Sequence, residues 1–165
     1  MFTLHIIIIH LVIGKRYIYI NRNKEEIHLK SLQELRVAYY LDLANYNYIY
    51  GIGKIQRFKY RLNNKTHFYY PDFQINDFFI EVKPNGWNSN IDVFNKIMSV
   101  QRQNKIMLVI YDDDLIAEFL PYITRDKFYE VCENCIKNGK IYYNDLYKCI
   151  GDIRSKLLID MESRV

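Results

Sequence analysis

The sequence predicts a single α/β domain with a mixed sheet, its core elements running in the order α, β, β, β, α, β. Three observations carry this expectation. A helical stripe of apolar residues after Ser31 gives way near Lys54 to alternation with a period of two, which runs through three short segments punctuated by turn residues. A second helical stripe then leads into the apolar run Ile106–Tyr111. A chain of 165 residues is close to the usual size of one domain and can bury one core, so residues 1–165 are taken as one unit.

Residues 4–13 are apolar apart from His5 and His10. The run is about half the roughly 20 residues a spanning helix needs, and neither a basic leader nor a small-residue cleavage site accompanies it. A first strand is therefore expected, in a cytoplasmic protein with no membrane partner. Tyr17–Ile20 and residues 27–29 flank the polar stretch 21–26, which predicts a hairpin forming an N-terminal β extension. Ser31 opens a helix over residues 31–43, where Glu34, Val37, Ala38 and Leu41 recur at i, i+3, i+4 and i+7, so Glu34 falls on the buried stripe.

From Lys54, Phe58, Tyr60 and Leu62 alternate with Arg57, Lys59 and Arg61, the pattern of a half-buried strand. Asn63 and Asn64 supply turn chemistry before a second strand over residues 66–73, and residues 75–77 turn into a third, Phe78–Lys83. An antiparallel meander is expected. Pro84, lacking an amide donor, closes it. Phe94, Ile97, Met98 and Gln101 then share one helical face, and the crossover returns to Ile106–Tyr111 as a buried strand parallel to the third. Residues 112–120, 126–137 and 145–161 read as C-terminal helices padding the sheet, with Asn138-Gly139 as a stop between the last two.

A formal charge of +4 and a pI near 8.8 are too mild to identify a partner, so local charge must decide. Three cysteines make a disulfide framework improbable, and Cys132 and Cys135 are expected to pack between helices rather than to hold zinc, since no histidine lies near. The chemistry lies on the third strand. Alternation turns Phe78, Ile80 and Val82 one way and Phe79, Glu81 and Lys83 the other, while Asp72, near the close of the preceding strand, can approach Glu81. Paired carboxylates are hard oxygen ligands that suit Mg²⁺ together with a substrate phosphate, and an adjacent ammonium such as Lys83 can orient the attacking water or stabilise growing charge.

The segment Tyr70-Pro71-Asp72-Phe73, followed by Ile80-Glu81-Val82-Lys83, resembles the PD-(D/E)xK nuclease superfamily. The resemblance spans residues 31–111: the helix at residues 31–43 matches the family's first core helix with its acid at Glu34, and residues 92–111 match its closing helix and strand. It implies a restriction-endonuclease-like αβββαβ core acting as an endodeoxyribonuclease. Asp72 and Glu81, helped by Glu34, would bind Mg²⁺ (with Mn²⁺ as a substitute), and Lys83 would assist the nucleophile. Double-stranded DNA is the implied substrate, and cutting both strands at once with so small a chain favours a homo-oligomer. The basic hairpin and the tyrosine-rich approach to Pro71-Asp72 look most like small homing endonucleases and related phage or transposon-end nucleases. A Holliday-junction-type resolvase and a catalytically inactive DNA-binding relative are the alternatives. Pro84 departs from the family, which often carries glycine there, and Gln101 resembles a family accessory position loosely.

No acidic residue occurs in residues 44–71, where Lys54, Arg57, Lys59, Arg61 and Lys65 supply five positive charges. Phosphate contact by these five is the functional expectation, set against an ordinary solvated strand face. Tyr46, Tyr48 and Tyr50 are expected to pack on the core, Asp112, Asp113 and Asp114 to cap a helix, and His67 to be structural.

Overall fold

A computed structural model describes residues 16–51, 53–84, 91–111 and 123–162. The strand expected at residues 4–13 and the helix expected at 112–120, with Asp112 to Asp114, lie outside them. The described residues form a mixed α/β structure of four helices and three sheets. In chain order they are β1 (Tyr17–Ile20), β2 (Glu26–Leu29), α1 (Leu32–Leu43), β3 (Ile49–Tyr50), β4 (Phe58–Leu62), β5 (Lys65–Tyr69), β6 (Phe73–Ile75), β7 (Phe78–Lys83), α2 (Ile91–Gln101), β8 (Ile106–Tyr111), α3 (Arg125–Asn134), β9 (Ile136–Lys137), β10 (Lys140–Tyr142) and α4 (Tyr143–Glu162). Among the described residues no helix is long and apolar enough to cross a membrane.

The N-terminal hairpin forms as expected, with Tyr19 opposite Ile27. Ser31 caps α1: its Oγ accepts the Glu34 amide at 3.1 Å. The helix is buried almost all round, including Leu35, Arg36, Val37, Ala38 and Tyr39, because it lies between the central sheet and the C-terminal helices. Tyr39 touches Phe128 of α3 and Tyr143 of α4 at ring separations of 5.7 and 5.8 Å.

The central sheet has the order β3-β6-β7-β8. Its first two pairs are antiparallel and β7 with β8 is parallel, joined through α2 as the crossover expectation required. The expected three-strand meander does not form. The strand predicted over residues 66–73 is two strands: β5 pairs with β4 in a separate two-stranded ribbon, and β6 joins the central sheet. Pro71 explains the break, since it has no N–H for a ladder and constrains the residue before it. β3 was not anticipated. It adds a strand beside β6, where Tyr48 and Tyr50 pack on Phe73 at 5.6 and 5.1 Å, the core role expected of them, whereas Tyr46, expected to pack likewise, is 53% exposed.

Three further expectations are corrected. α2 buries Val93, Ser99 and Val100 and leaves Phe94 and Gln101 exposed, so its inward face is rotated from the predicted stripe. The cause is the second core, where Val100 meets Phe58, Tyr69 and Phe79. β8 is not buried throughout: Ile106 is 65% exposed, because α1 leaves an apolar groove of about 750 Å³ along this side of the sheet among the described residues. Asn138-Gly139 is not a stop between two helices. Both residues are left-handed, with φ of 51° and 74°, and they form the two-residue turn of the hairpin β9–β10. Asparagine and glycine tolerate that conformation better than other residues, and it gives such a hairpin the right twist. β10 then runs parallel to β1, so the N-terminal extension and the C-terminal helices share one four-stranded sheet, β2-β1-β10-β9. The cysteines are free thiols at the α3–α4 contact, with Cys135 Sγ 3.3 Å from Cys149 Sγ.

Candidate active site

The break at Pro71 builds the site. Phe73 pairs with Ile80, and the Asp72 amide donates to the Ile80 carbonyl at 3.0 Å. One step further along, Pro71 brings no N–H to the ladder, and the Val82 amide donates to Asp72 Oδ2 at 2.8 Å. The side chain of Asp72 is thereby fixed against β7 beside Glu81. Its other oxygen faces Lys30 Nζ at 4.0 Å.

Glu81 is 3% exposed. Its Oε2 accepts the Tyr69 hydroxyl at 2.5 Å, and its Oε1 is ion-paired with Lys83 Nζ. Both Lys83 and Glu81 are on the face of β7 that alternation assigns them. Glu34 is 7% exposed and its Oε2 accepts the Tyr50 hydroxyl at 2.6 Å and the Lys30 amide at 2.8 Å. It reaches past the cap residue's own amide, so it departs from a capping box, in which the acid bonds that amide.

Two of the carboxylates act on the third. Burial, then the charge of Glu81, then that of Glu34 push the Asp72 carboxyl up to about 8, against the pull of the Val82 amide and Lys30 in the other direction. Burial draws the Lys83 ammonium down, but Glu81, by charge and hydrogen bond, and then Asp72 and Asp92 raise it overall, so Lys83 stays charged. Burial beside Glu81 and Glu34 holds the Tyr69 and Tyr50 phenols far above their ordinary value, so each remains a donor.

Asp72 opens onto a cleft of about 200 Å³ lined also by Lys30, Tyr50, Tyr60, Phe68, Tyr70 and Lys96. Lys96 pairs with Asp92 at 2.6 Å, one turn earlier on α2, and Asp92 accepts the Tyr60 hydroxyl at 2.9 Å. The cations on the cleft wall are thus Lys30 and Lys96. Sequence reasoning missed both, along with Tyr69 and Tyr50, which fix two of the acids. The signals were present but weak: a lysine one residue before a helix cap, an Asp-Lys pair at i, i+4, and tyrosines that read equally as core.

The five predicted phosphate contacts lie elsewhere. Lys54, Arg57, Lys59, Arg61 and Lys65 are all exposed on or before the β4–β5 ribbon, and none of them lines the cleft. His67 stacks on Tyr60 at 5.4 Å, the structural role expected. Gln101 is exposed at the end of α2 and also lies off the cleft wall. Among the described residues no three His, Cys, Asp or Glu side chains stand arranged as a ready metal cage. Each acid is turned to a donor of the chain itself. Compared with known proteins, the chain matches no family model, no curated protein and no solved structure.

Proposed function

We propose that the chain is a metal-dependent DNA endonuclease with a restriction-endonuclease-like PD-(D/E)xK core, of the homing or mobile-element kind. The observation that carries this is the buried junction of Asp72 with Glu81 and Lys83, at the strand break made by Pro71, with Glu34 approaching from α1. A carboxylate whose ionisation is opposed by the charges of two buried acids beside it, with ammonium groups on one side, favours a further cation.

The donor set fits Mg²⁺, or Mn²⁺ as a substitute: all oxygens, one acid from β7, one from the residue before β6 and a third from the helix. Asp72 and Glu81 would hold the ion with Glu34 behind them, and when bound it would polarise a phosphate and acidify a water. The remaining work falls to the chain. Tyr69 and Tyr50 hold Glu81 and Glu34 in one rotamer each. Lys83 supplies a charge beside the reacting phosphate, and Lys30 and Lys96 on the cleft wall attract the backbone of double-stranded DNA. Cutting both strands would need a second copy of the site, hence a homo-oligomer.

The test is incubation of the full chain with supercoiled plasmid in Mg²⁺, in Mn²⁺ and in EDTA. Nicked or linear product is expected with either metal, none in EDTA, and none from Asp72→Asn or Glu81→Gln. Intact plasmid under every condition, or full activity in both variants, would remove the reading.

A further inference from the structure

The β4–β5 ribbon carries a feature that duplex phosphate contact leaves unused. Its register pairs Lys59 with Phe68 and Arg61 with Thr66, so these four share one face, opposite the face on which Phe58 and Tyr69 are buried. Arg57 joins them, its guanidinium 4.4 Å from the centre of the Phe68 ring. A solvated strand face needs cations and polar groups. Here it also presents an aromatic ring among the cations: Phe68 is 52% exposed with an arginine over its ring.

We propose that this face binds DNA whose bases are unpaired beside the cut: the cations hold the backbone and Phe68 stacks a base. The inference rests on the nuclease reading for its substrate and narrows it from duplex to single-stranded or branched DNA. Two further facts support it. No acidic residue occurs in residues 44–71, so neither strand of the ribbon opposes a polyanion. Phe68 also lines the cleft onto which Asp72 opens, so a nucleotide stacked there adjoins the Asp72 carboxylate. A paired base, stacked within its helix, offers no face to this ring, whereas an unpaired one does, and such stacking is insensitive to sequence.

Binding is measured by fluorescence anisotropy with the full chain in EDTA, where cleavage cannot contribute. The probes are a labelled oligothymidylate and a blunt duplex of the same length. The single strand should bind more tightly. Phe68→Ala should weaken it by roughly 5- to 100-fold while leaving the duplex nearly unchanged, and Phe68→Trp should restore it. Lys59→Ala and Arg61→Ala should weaken both probes and lower the salt slope by about one each. Because Phe68 is exposed, unchanged thermal unfolding checks that its variants are folded. Equal losses on both probes after Phe68→Ala, no loss on the single strand, or oligouridylate outcompeting oligothymidylate would each overturn the proposal. A protein that prefers the single strand through Phe68 yet cuts no DNA in Mg²⁺ or Mn²⁺ would defeat the nuclease reading alone; one that cuts duplex plasmid without regard to Phe68 would defeat only this inference.

Discussion

Replacing Asp72 by asparagine should stabilise the metal-free protein at neutral pH even as it removes cleavage. Folding moves this carboxyl from a value of 3.8 to about 8, through burial and the charges of Glu81 and Glu34. A group whose folded pKa lies above its unfolded one holds more protons when folded, so its contribution is fully present in acid and is lost as pH rises from about 4 to about 8. Each pH unit in that window is worth about 1.4 kcal/mol, which sets an upper bound of about 4 kcal/mol at pH 7. Asp72 interacts strongly with its neighbours, so the substitution should recover only about 1–3 kcal/mol. Asparagine keeps an amide oxygen for the Val82 N–H, so that bond need not be lost. Urea unfolding in EDTA at several values between pH 5 and 8 checks this. Wild type should weaken as pH rises, and Asp72→Asn should show a shallower slope, the remainder including buried Asp42, which burial also raises. Mg²⁺ should stabilise wild type more at pH 8 than at pH 5, and the variant little at either. A level wild-type profile, or an asparagine variant weaker than wild type at pH 8, would refute the reasoning.

Glu34→Gln should reduce single-turnover cleavage strongly and stability by less than about 1 kcal/mol, since a glutamine oxygen can still accept from Tyr50 and the Lys30 amide but supplies no charge; near-normal cleavage by a folded variant would leave Glu34 structural. Gly139→Ala should cost about 1–2 kcal/mol by urea unfolding. Open space surrounds the added methyl, so the whole cost is the left-handed backbone at φ 74°. Treatment with the thiol oxidant diamide should link Cys135 to Cys149, their sulfurs being 3.3 Å apart, and closing this loop of about 15 residues should raise the unfolding temperature. Peptide mapping and a melting curve, with Cys149→Ser as control, decide it.

Periodicity made much of the fold legible. The N-terminal hairpin, α1, β7, the parallel return to β8 and the last helix each repeat at their own spacing over enough residues to be read. What escaped was short or set by distant partners. β9 and β10 have two and three residues, too few for alternation to register, and they continue a helical pattern up to Asn134. Their turn residues were noticed but assigned to the wrong element, because Asn-Gly ends a helix as readily as it turns a hairpin. The inward face of α2 was decided by the ribbon beneath it, which no local stripe encodes. The acids of the candidate site could be named by type and spacing. The tyrosines that hold them could not, because a phenol's partner lies 12 or 16 residues away across the fold.

The misplaced strand and the position of the Asp72 carboxylate have one cause. Alternation through residues 66–73 suggests a continuous strand, and in such a strand Asp72 would be one more ladder residue with its side chain directed by the pleat. Pro71 ends the ladder there: it brings no N–H, and its ring constrains the backbone before it, so the chain leaves β7 and the Val82 amide meets a side chain and not a strand carbonyl. A buried amide must find an acceptor. Asp72 provides it, and the carboxylate is drawn onto β7 between Glu81 and Lys30. The bond to Val82 offsets part of the cost of holding a charge beside two others, so the same proline that splits the sheet makes the site tenable. It follows that Pro71 and Asp72 are coupled: Pro71→Ala, by freeing the strand to continue so that the carbonyl of residue 71 accepts the Val82 amide, should relax the Asp72 carboxyl toward solvent. That variant should lose the steep fall in stability between pH 5 and 8 without any change to an acid, and a profile identical to wild type would show that the break and the carboxylate are independent.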